Sequence, residues 1–399
     1  MKIAVTGWYG QGSIGDELLM CAVARSVATG IPDADVRILS TTPDAAARAS
    51  GYPAAPAFIP VDDFASLRSV ARLLAFAVKT RGRPLALLPG LRAVVIGGGN
   101  LLSDRHPGNL ETWRRQVRLY KALGASVYFY GISVGPLRNA ASLDVVRDVL
   151  MLADGSSFRD RRSLELMRPM LPAERLIQSA DPVLSLVEPQ QKPLDVWPPK
   201  RSLRIGFNVR HISSVATARA EDAGQALTLG LLRSLDATLH FVPMNVRDLP
   251  VAQAIKDRLP SREAARFVVE PYAWGRPDEH MRRYDELDAF VSMRLHSAVV
   301  AALHGIPVIG LDGNPKIPGF LGEIGLGDFV SAVSDGIGTY AIDVDDVVTK
   351  TCQLIAEWPG IREQTLHRLR ELRARERRNL DGLRAVLGVS PAPMSLAAR

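Results

Sequence analysis

The residues best placed to do chemistry lie in the segment Phe290–Leu326. A strand that ends near Met293 gives way to a helix predicted to begin at about Ser297, so Arg294 and His296 lie at the helix N-terminus. A cation at this position opposes the helix dipole, which favours negative charge at that end. The placement becomes favourable when an anion also binds there. Backbone N–H groups, a guanidinium and an imidazole would then converge on a phosphate or carboxylate.

A structural alternative stays open for both side chains: Arg294 pairs with a neighbouring carboxylate, and His296 is a satisfied core histidine. Two further cations are candidates for the same anion. Arg210 follows the strand Arg204–Val209, and Lys316 lies in a later loop. Together these cations predict a phosphate or carboxylate site.

A glycine-rich loop, Gly7–Asp16, follows the first strand directly. Gly10, Gly12 and Gly15 match the dinucleotide fingerprint, in which glycines let the backbone approach a pyrophosphate at a helix N-terminus. That fingerprint also needs an acid closing the second strand to hold the ribose hydroxyls, and this strand ends in Ser and Thr. The loop therefore indicates a ligand other than NAD, with Asp16 either part of the site or only a cap of the following helix.

A second glycine cluster, Gly97–Gly99 with Asn100, follows the strand Ala93–Ile96, and Asp104 comes within about a turn of it. Three glycines at a strand end cost conformational entropy, which is hard to explain unless something approaches the backbone. The cluster therefore indicates a second wall of a site. A purely structural turn is the alternative.

Strand-like runs alternate with helical patterns along the chain, which predicts parallel sheets covered by helices. Pro, Gln and charged residues concentrate in Glu188–Arg201, where we place a linker. We therefore predict an N-terminal Rossmann-like domain over 1–190, a second one over 201–342 and a helical segment over 343–399. Ligands of open α/β sheets bind at the carboxyl ends of the strands, so we expect the two doubly wound domains to face each other across a ligand-binding cleft.

The composition narrows the function classes. At 399 residues the chain is too long for one core, and 47% hydrophobic with 23% charged residues is typical of globular proteins. A net charge of +7 and a 6% aromatic share do not favour nucleic-acid binding, and no nucleic-acid-binding signature is present. Two cysteines, Cys21 and Cys352, lack metal-ligand spacing, and we predict no metal.

The sequence shows no secretory leader and no run approaching the roughly 20 apolar residues of a membrane span, which predicts a cytoplasmic protein. A basic, amphipathic helix is expected over Ala65–Arg83. We expect it to pack against the first sheet. The open alternative is that it lies on the inner face of the plasma membrane.

The order of these segments resembles the polysaccharide pyruvyl transferase family. The resemblance runs from Lys2 to Leu326, and Ser-Met-Arg-Leu-His is its most specific part. The matching segments are Gly15-Asp16, Gly97–Gly99, Gly135-Pro136, Arg159-Asp160 with Ser163, Asp181-Pro182, Ser292–His296 and Pro315-Lys316. The resemblance implies two domains arranged as in the B-type glycosyltransferases.

The resemblance also implies a reaction. The pyruvyl group of phosphoenolpyruvate would pass to two hydroxyls of a sugar as a ketal, with release of phosphate. Acceptors in the family are sugars of cell-surface polysaccharides, often still carried on a lipid. Phosphoenolpyruvate is the donor substrate, and no cofactor is expected.

The family's anion-binding residues correspond to Arg210, Arg294 and His296, to which we add Lys316. The proton donor is less defined. Our candidate catalytic residues are His296, Asp16 and Asp104, and our candidates for the acceptor side are Gly12, Gly15, Gly98, Gly99 and Asn100.

Two other functions compete with this prediction. A B-type glycosyltransferase would place its cations on the diphosphate of a nucleotide sugar and bind that nucleotide tightly. A non-catalytic relative would keep the site only to bind an anion. A dinucleotide oxidoreductase is disfavoured because the ribose-binding acid is missing. The acceptor sugar, the ketal linkage and the oligomeric state are left open by the sequence.

Overall fold

The computed structural model describes residues 1–57, 89–106, 108–192, 197–209, 217–313, 316–334 and 341–390, with the side chains of 217–219 left aside. The predicted helix Ala65–Arg83 and Arg210 lie outside these residues. The chain divides into two compact units. The first comprises Met1–Gln11, Asp16–Leu186 and Arg373–Arg399, and the second comprises Gly12–Gly15 and Val187–Leu372.

The first unit is built on a sheet of parallel strands ordered β3-β2-β1-β4-β5-β6-β7. The strands are β1 (Lys2–Thr6), β2 (Asp35–Ser40), β3 (Ala54–Pro56), β4 (Leu91–Leu102), β5 (Ser126–Val134), β6 (Gly155–Phe158) and β7 (Ile177–Gln178). The helices are α1 (Ile14–Gly30), α2 (Pro43–Ser50), α3 (Asn109–Ala122), α4 (Ala140–Leu152) and α5 (Arg161–Met167). The central strands are continuous apolar runs, as expected for a parallel sheet covered on both faces.

The second unit repeats this strand order as β10-β9-β8-β11-β12-β13-β14. Its strands are β8 (Leu203–Asn208), β9 (Ala237–Phe241), β10 (Phe267–Val269), β11 (Ala289–Ser292), β12 (Val308–Asp312), β13 (Val330–Ser334) and β14 (Ala341–Ile342). The last pair is antiparallel and the others are parallel.

The helices of this unit and of the C-terminal segment are α6 (Thr217–Ser234), α7 (Asp248–Asp257), α8 (Ser261–Ala264), α9 (Pro277–Arg282), α10 (Leu295–Leu303), α11 (Lys316–Glu323), α12 (Val344–Glu376) and α13 (Arg378–Leu387). Two sheets with the Rossmann strand order confirm the predicted fold class.

The units differ from the predicted domain boundaries in three places. The second segment of the first unit ends at Leu186, four residues before the predicted boundary at 190. Gly12–Gly15 group with the second unit although they follow β1. The segment predicted over 343–399 is divided, because α12 crosses from the second unit into the first at residue 373 and α13 packs on the first sheet. Gly382 permits that packing, since a Cβ there would overlap the hydroxyl of Tyr128.

The glycine triplet was expected in a loop after a strand, and it lies instead inside β4. Gly98 and Gly99 have φ of 65° and 91°, and the register of β4 with β5 shifts between Gly99 and Leu102. A Cβ on Gly98 would lie 2.7 Å from Leu19 on α1. The triplet is thus explained by a bulged strand that a helix approaches closely.

Candidate active site

In each sheet the strand order reverses between two neighbouring strands, which is where ligands of open α/β sheets bind. In the second unit these strands are β8 and β11, which run side by side with Asn208 opposite Ser292 at their carboxyl ends. The Ser-Met-Arg-Leu-His segment follows β11 directly. The most specific motif of the sequence therefore lies at the topological switch point.

Side-chain hydrogen bonds fix the backbone of this segment. Ser292 Oγ accepts from Arg294 N at 3.2 Å and donates to Arg294 O at 2.7 Å. Asn208 accepts from Met293 N at 3.1 Å and donates to Ser297 Oγ at 2.7 Å, and Asn208 and Ser297 are fully buried. The turn is therefore rigid, and α10 begins at Leu295, two residues earlier than predicted.

Arg294 is the N-cap residue of α10, and its side chain is 23% exposed. Its Nη2 donates to Oδ1 of Asp248, a fully buried residue that opens α7. The alternative of a carboxylate partner for Arg294 is thus observed. A guanidinium carries five N–H groups, so this bond leaves others for a ligand. Nε of Arg294 is buried without an acceptor among the described residues.

His296 lies in the first turn of α10, half-buried, directly against Gly15. A Cβ on Gly15 would overlap Nδ1 of His296 and lie 3.1 Å from its Cγ, so no other residue fits there without moving the ring. Gly15 of the glycine loop therefore meets the turn Ser292–His296, which we call the cation turn. The two segments were predicted separately from the sequence. Gly15 serves the close approach of this imidazole.

The rest of the short loop Gly12–Gly15 is held by the second unit. Tyr272 Oη donates to Gly12 O at 2.7 Å, and Ile14 N donates to Met244 O at 2.9 Å. Ser13 forms an isolated antiparallel bridge with Asn245. Gly12 and Gly15, which we assigned to the acceptor side of the first domain, thus group with the second unit, where Gly12 lies near Tyr272 and Gly15 lies against His296.

Lys316 opens α11, the helix that follows β12, and is half-buried. β12 is the neighbour of β11, so both connections leave the same edge of the sheet. The preceding loop touches the cation turn, since a Cβ on Gly313 would lie 3.2 Å from Cγ of Met293. Arg210 follows Asn208, the last residue of β8, by two positions in the sequence and lies outside the described residues.

In the first unit, the β1–α1 connection and β4 bring Asp16 near the glycine triplet. A Cβ on Gly99 would lie 3.7 Å from Oδ1 of Asp16. Tyr9 Oη donates to Gly97 O at 2.7 Å, and its burial, with the charge of Asp16 as a smaller cause, raises its pKa well above its usual value. Oδ1 of Asn100 is buried without a partner in the described part of the chain. Asp16, Gly99 and Asn100 thus mark the switch point of the first sheet.

Asp104 does not join this group. Its Oδ2 accepts from Arg138 N at 2.6 Å, Asn139 N at 3.0 Å and Ser142 Oγ at 2.8 Å, and so caps the N-terminus of α4. Desolvation raises the pKa of Asp104, but these hydrogen bonds outweigh it and leave the pKa below its usual value. A carboxylate stabilised in this way is a poor proton donor, so the geometry disfavours our catalytic assignment of Asp104.

The other family motifs of the first unit bond to one another. Arg159 donates to Ser133 Oγ at 2.7 Å and forms an ion pair of 2.6 Å with Asp181, and both members of the pair are buried. Asp160 caps α5 by accepting from Ser163 N at 2.8 Å. The sequence placed these residues at an edge that forms a site, whereas these hydrogen bonds and this ion pair form a structural network.

Two residues of the arrangement were missed. Asn208 holds the cation turn, and Asp248 holds Arg294. In sequence, an Asp that opens a helix is typical of ordinary capping, and nothing local to Asp248 points to a residue 46 positions later. Asn208 is the last residue but one of the predicted strand Arg204–Val209, where a polar residue also has ordinary explanations. Only the tertiary contacts distinguish them.

A family model described as polysaccharide pyruvyl transferase matches residues 14–315. Among solved structures, the chain resembles a UDP-N-acetylglucosamine 2-epimerase, with 12% identity, 100% and 99% of the two chains covered and a TM-score of 0.60. It also resembles a glycosyltransferase from Rickettsia africae ESF-5, with 11% identity, 98% and 99% coverage and a TM-score of 0.59.

A third similar structure is the UDP-GlcNAc 2-epimerase from Neisseria meningitidis bound to UDP-GlcNAc, with 13% identity, 92% and 94% coverage and a TM-score of 0.55. At such identities the likeness extends to the fold alone. No curated protein matches the chain. Within the described residues, no helix is long and apolar enough to span a bilayer.

Proposed function

The chain belongs to the polysaccharide pyruvyl transferase family, and we propose that it transfers the pyruvyl group of phosphoenolpyruvate to two hydroxyls of a sugar as a ketal. The observation that carries this proposal is the rigid turn at the β8/β11 switch point. There Arg294 and His296 project from a helix N-terminus beside the glycine loop. Helix N-termini and guanidinium groups are the groups that bind phosphate and carboxylate in proteins.

Phosphoenolpyruvate carries both of those anions on a three-carbon frame. In the proposed complex Arg294, Lys316 and Arg210 hold the phosphate and the carboxylate, with His296 against the same ligand. Arg matches the planar carboxylate and the phosphate through paired N–H bonds, which Lys cannot reproduce. Several cations in fixed geometry are needed because two anionic groups must be held in one orientation.

The reaction begins with a proton added to C3 of the enol, which leaves an oxocarbenium-like centre at C2. A sugar hydroxyl attacks C2 and loses its proton. The C2–O bond to phosphate then breaks, and a second hydroxyl closes the ketal. We propose His296 or Asp16 as the proton donor, since a positioned acid accelerates such a step. The sequence of steps is redox-neutral, and we propose no cofactor besides the donor substrate.

The proposed acceptor is a sugar of a cell-surface polysaccharide or of its lipid-linked precursor, bound on the side of Asp16, Gly98, Gly99 and Asn100. We propose that the reaction takes place in the cytoplasm, at the inner face of the plasma membrane when the acceptor is carried on lipid. The buried, unpartnered Oδ1 of Asn100 supports a ligand with hydroxyl donors at this edge.

A B-type glycosyltransferase with a nucleotide-sugar donor is the second candidate. The observation that favours it is the fold shared with the Rickettsia glycosyltransferase and the UDP-GlcNAc-bound epimerase. The same cations would then hold a diphosphate.

Thermal unfolding with phosphoenolpyruvate, UDP-GlcNAc and NAD tests these candidates, because a ligand at 100 times its Kd adds about 2.7 kcal/mol of stability. We expect phosphoenolpyruvate alone to raise the Tm, and Arg294→Ala and His296→Ala each to weaken binding by about 10- to 200-fold. Arg201→Ala is the control. Arg201 precedes β8 and pairs with Asp288, which precedes β11, so the pair lies at the opposite edge of the sheet. Stabilisation by UDP-GlcNAc instead would replace the proposal with the second candidate.

A further inference from the structure

Asp248 is a fully buried carboxylate with three donors. Its Oδ2 accepts from Met244 N at 3.0 Å and from Asn245 N at 2.9 Å, and its Oδ1 accepts from Arg294. A buried charge is tolerated only when it is paired and hydrogen-bonded, and this one is both. The carboxylate therefore joins two parts of the unit, the start of α7 and the cation turn before α10.

The two backbone donors also carry the glycine loop. Met244, whose N–H donates to Asp248, accepts through its carbonyl from Ile14 N, and Asn245 forms the bridge with Ser13. One carboxylate thus orders the turn at 244–245 on which the loop rests while it holds the guanidinium of Arg294. The loop in turn places Gly15 against His296.

We propose that Asp248 is a positioning residue of the anion site, which holds Arg294 in one orientation and fixes the turn beneath Gly12–Gly15. The inference rests on the proposed function only for the identity of the anion. Asp248 does not touch the ligand. It acts through Arg294, whose long side chain would otherwise lose rotamer freedom when the anion binds.

The placement explains why an acid is tolerated beside an anion site. A carboxylate there reduces the net positive charge, which by itself weakens the attraction for phosphoenolpyruvate. Asp248 is fully buried and is already bonded to two backbone N–H groups, whereas the Arg294 side chain is 23% exposed. The Arg294 side chain, which is partly exposed, therefore meets the ligand with its orientation already set, and preorganisation offsets the lost attraction.

A double-mutant cycle on the full chain tests the proposal, with isothermal titration of phosphoenolpyruvate as the readout. Asp248→Asn keeps the shape but removes the charge and one acceptor. We expect it to weaken binding about 10-fold, the scale of a misplaced binding group. In the Arg294→Ala background the same change should have a clearly smaller effect, because only the hold of Asp248 on the turn beneath Gly12–Gly15 remains to be lost. Equal losses in both backgrounds would overturn the proposal.

Asp288→Asn is the matched control. Asp288 is also buried, and it also accepts from a backbone N–H, that of Arg204 at 2.8 Å, and from a guanidinium, that of Arg201 at 2.6 Å. It lies before β11, at the amino edge of the same sheet. We expect it to lower the Tm without changing the affinity for phosphoenolpyruvate. If both Asn variants lower the Tm and neither changes the affinity, Asp248 is merely structural and the proposal fails.

Two further arms keep the test decisive. If Asp248→Asn does not fold, Asp248→Glu retains the charge but displaces it by one methylene, and unchanged affinity in that variant overturns positioning. If the wild type binds UDP-GlcNAc and not phosphoenolpyruvate, the proposed function fails while the same cycle with UDP-GlcNAc still decides the role of Asp248. If the wild type binds neither ligand, the free energy of unfolding becomes the quantity measured in the cycle. Additive effects of Asp248→Asn and Arg294→Ala would then overturn the inference.

Discussion

Each unit contains an arginine–aspartate pair at the carboxyl edge of its sheet, and the two pairs differ in how far the arginine is buried. In the first unit, Arg159 has a side chain only 4% exposed and pairs with Asp181, which is 9% exposed. In the second unit, Asp248 is fully buried but Arg294 is 23% exposed. The first pair is almost wholly buried, and the second leaves part of its arginine side chain accessible.

The surroundings of the two pairs point the same way. Arg159 is bonded to Ser133, and the nearby Asp160 caps a helix, so these charges are neutralised inside the first unit. Arg294 lies one residue before a helix N-terminus, with His296 in the next turn and Lys316 opening another helix at the same edge. A motif of charged residues therefore indicates a site only when part of a charged side chain stays accessible, as it does for Arg294 and not for Arg159.

The largest effect is expected when the Arg159–Asp181 pair of the first unit is broken. Arg159→Met leaves Asp181 buried and uncompensated, so we expect a loss of about 3–5 kcal/mol in the free energy of unfolding. Binding of phosphoenolpyruvate by the folded fraction should be unchanged. Denaturant titration and calorimetry measure the two quantities. A loss of affinity like that of Arg294→Ala, at a temperature where the variant is folded, would show that the first pair also serves the ligand.

A second internal charge in the first unit gives a pH-dependent test. Burial raises the pKa of Glu376 to about 7, although hydrogen bonds from Asn379 and Tyr130 oppose the shift. The folded state therefore keeps a proton on Glu376 that the unfolded state releases above pH 4.5. The stability that this proton contributes is complete below pH 4.5 and is lost as the pH rises through about 7. From this shift we expect the loss to reach about 3 kcal/mol.

Glu376→Gln should abolish this pH dependence and make the protein more stable than the wild type at pH 8. Unfolding of both proteins across pH 5 to 8 measures it, with Glu371→Gln on the exposed face of the same helix as the control. Parallel stability curves for wild type and Glu376→Gln would contradict a raised pKa.

Much of the fold could be predicted from the sequence because it depends on patterns that are local. Alternating strands and helices give the Rossmann order, and the end of β11 is readable from its apolar run. The start of α10 was predicted at Ser297 and lies at Leu295, because Ser292 closes the turn through its side chain. Such side-chain capping is not visible in hydrophobic periodicity.

The site could be predicted only in part. Arg294 and His296 were predicted because cations at a helix N-terminus are unusual, and the structure places both at the start of α10. Asp248 was missed because its partner is distant in sequence, and the capping role of Asp104 was not foreseen because its three donors come from another connection. A carboxylate looks the same in sequence whether it donates a proton or caps a helix, and only its hydrogen-bond partners separate the two roles.

Gly15, which lies against His296, allows a finer test of the proposed anion site in the second unit. Gly15→Ala forces the imidazole to move, so we expect phosphoenolpyruvate to bind about 10-fold more weakly, while Gly15→Ala should have no further effect in the His296→Ala background. Gly360→Ala is the matched control, because nothing lies within 4 Å of its Cβ position in α12. That change should stabilise the helix by about 0.5–1 kcal/mol and leave binding intact. Unchanged binding in Gly15→Ala would separate His296 from the anion site.

The smallest expected effect concerns Asp104, our predicted acid in the first unit. Asp104→Asn weakens the cap on α4, and we expect a loss of about 1 kcal/mol at pH 7. Because the pKa of Asp104 is lowered in the folded state, its contribution is present above the ordinary carboxyl pKa and disappears as the pH falls through the lowered value. The difference between wild type and variant, measured by denaturant unfolding, should therefore shrink towards pH 3. Asp104→Asn could instead abolish deuterium exchange from solvent into C3 of phosphoenolpyruvate without changing stability. Asp104 would then be the proton donor, and the first unit would supply a catalytic residue.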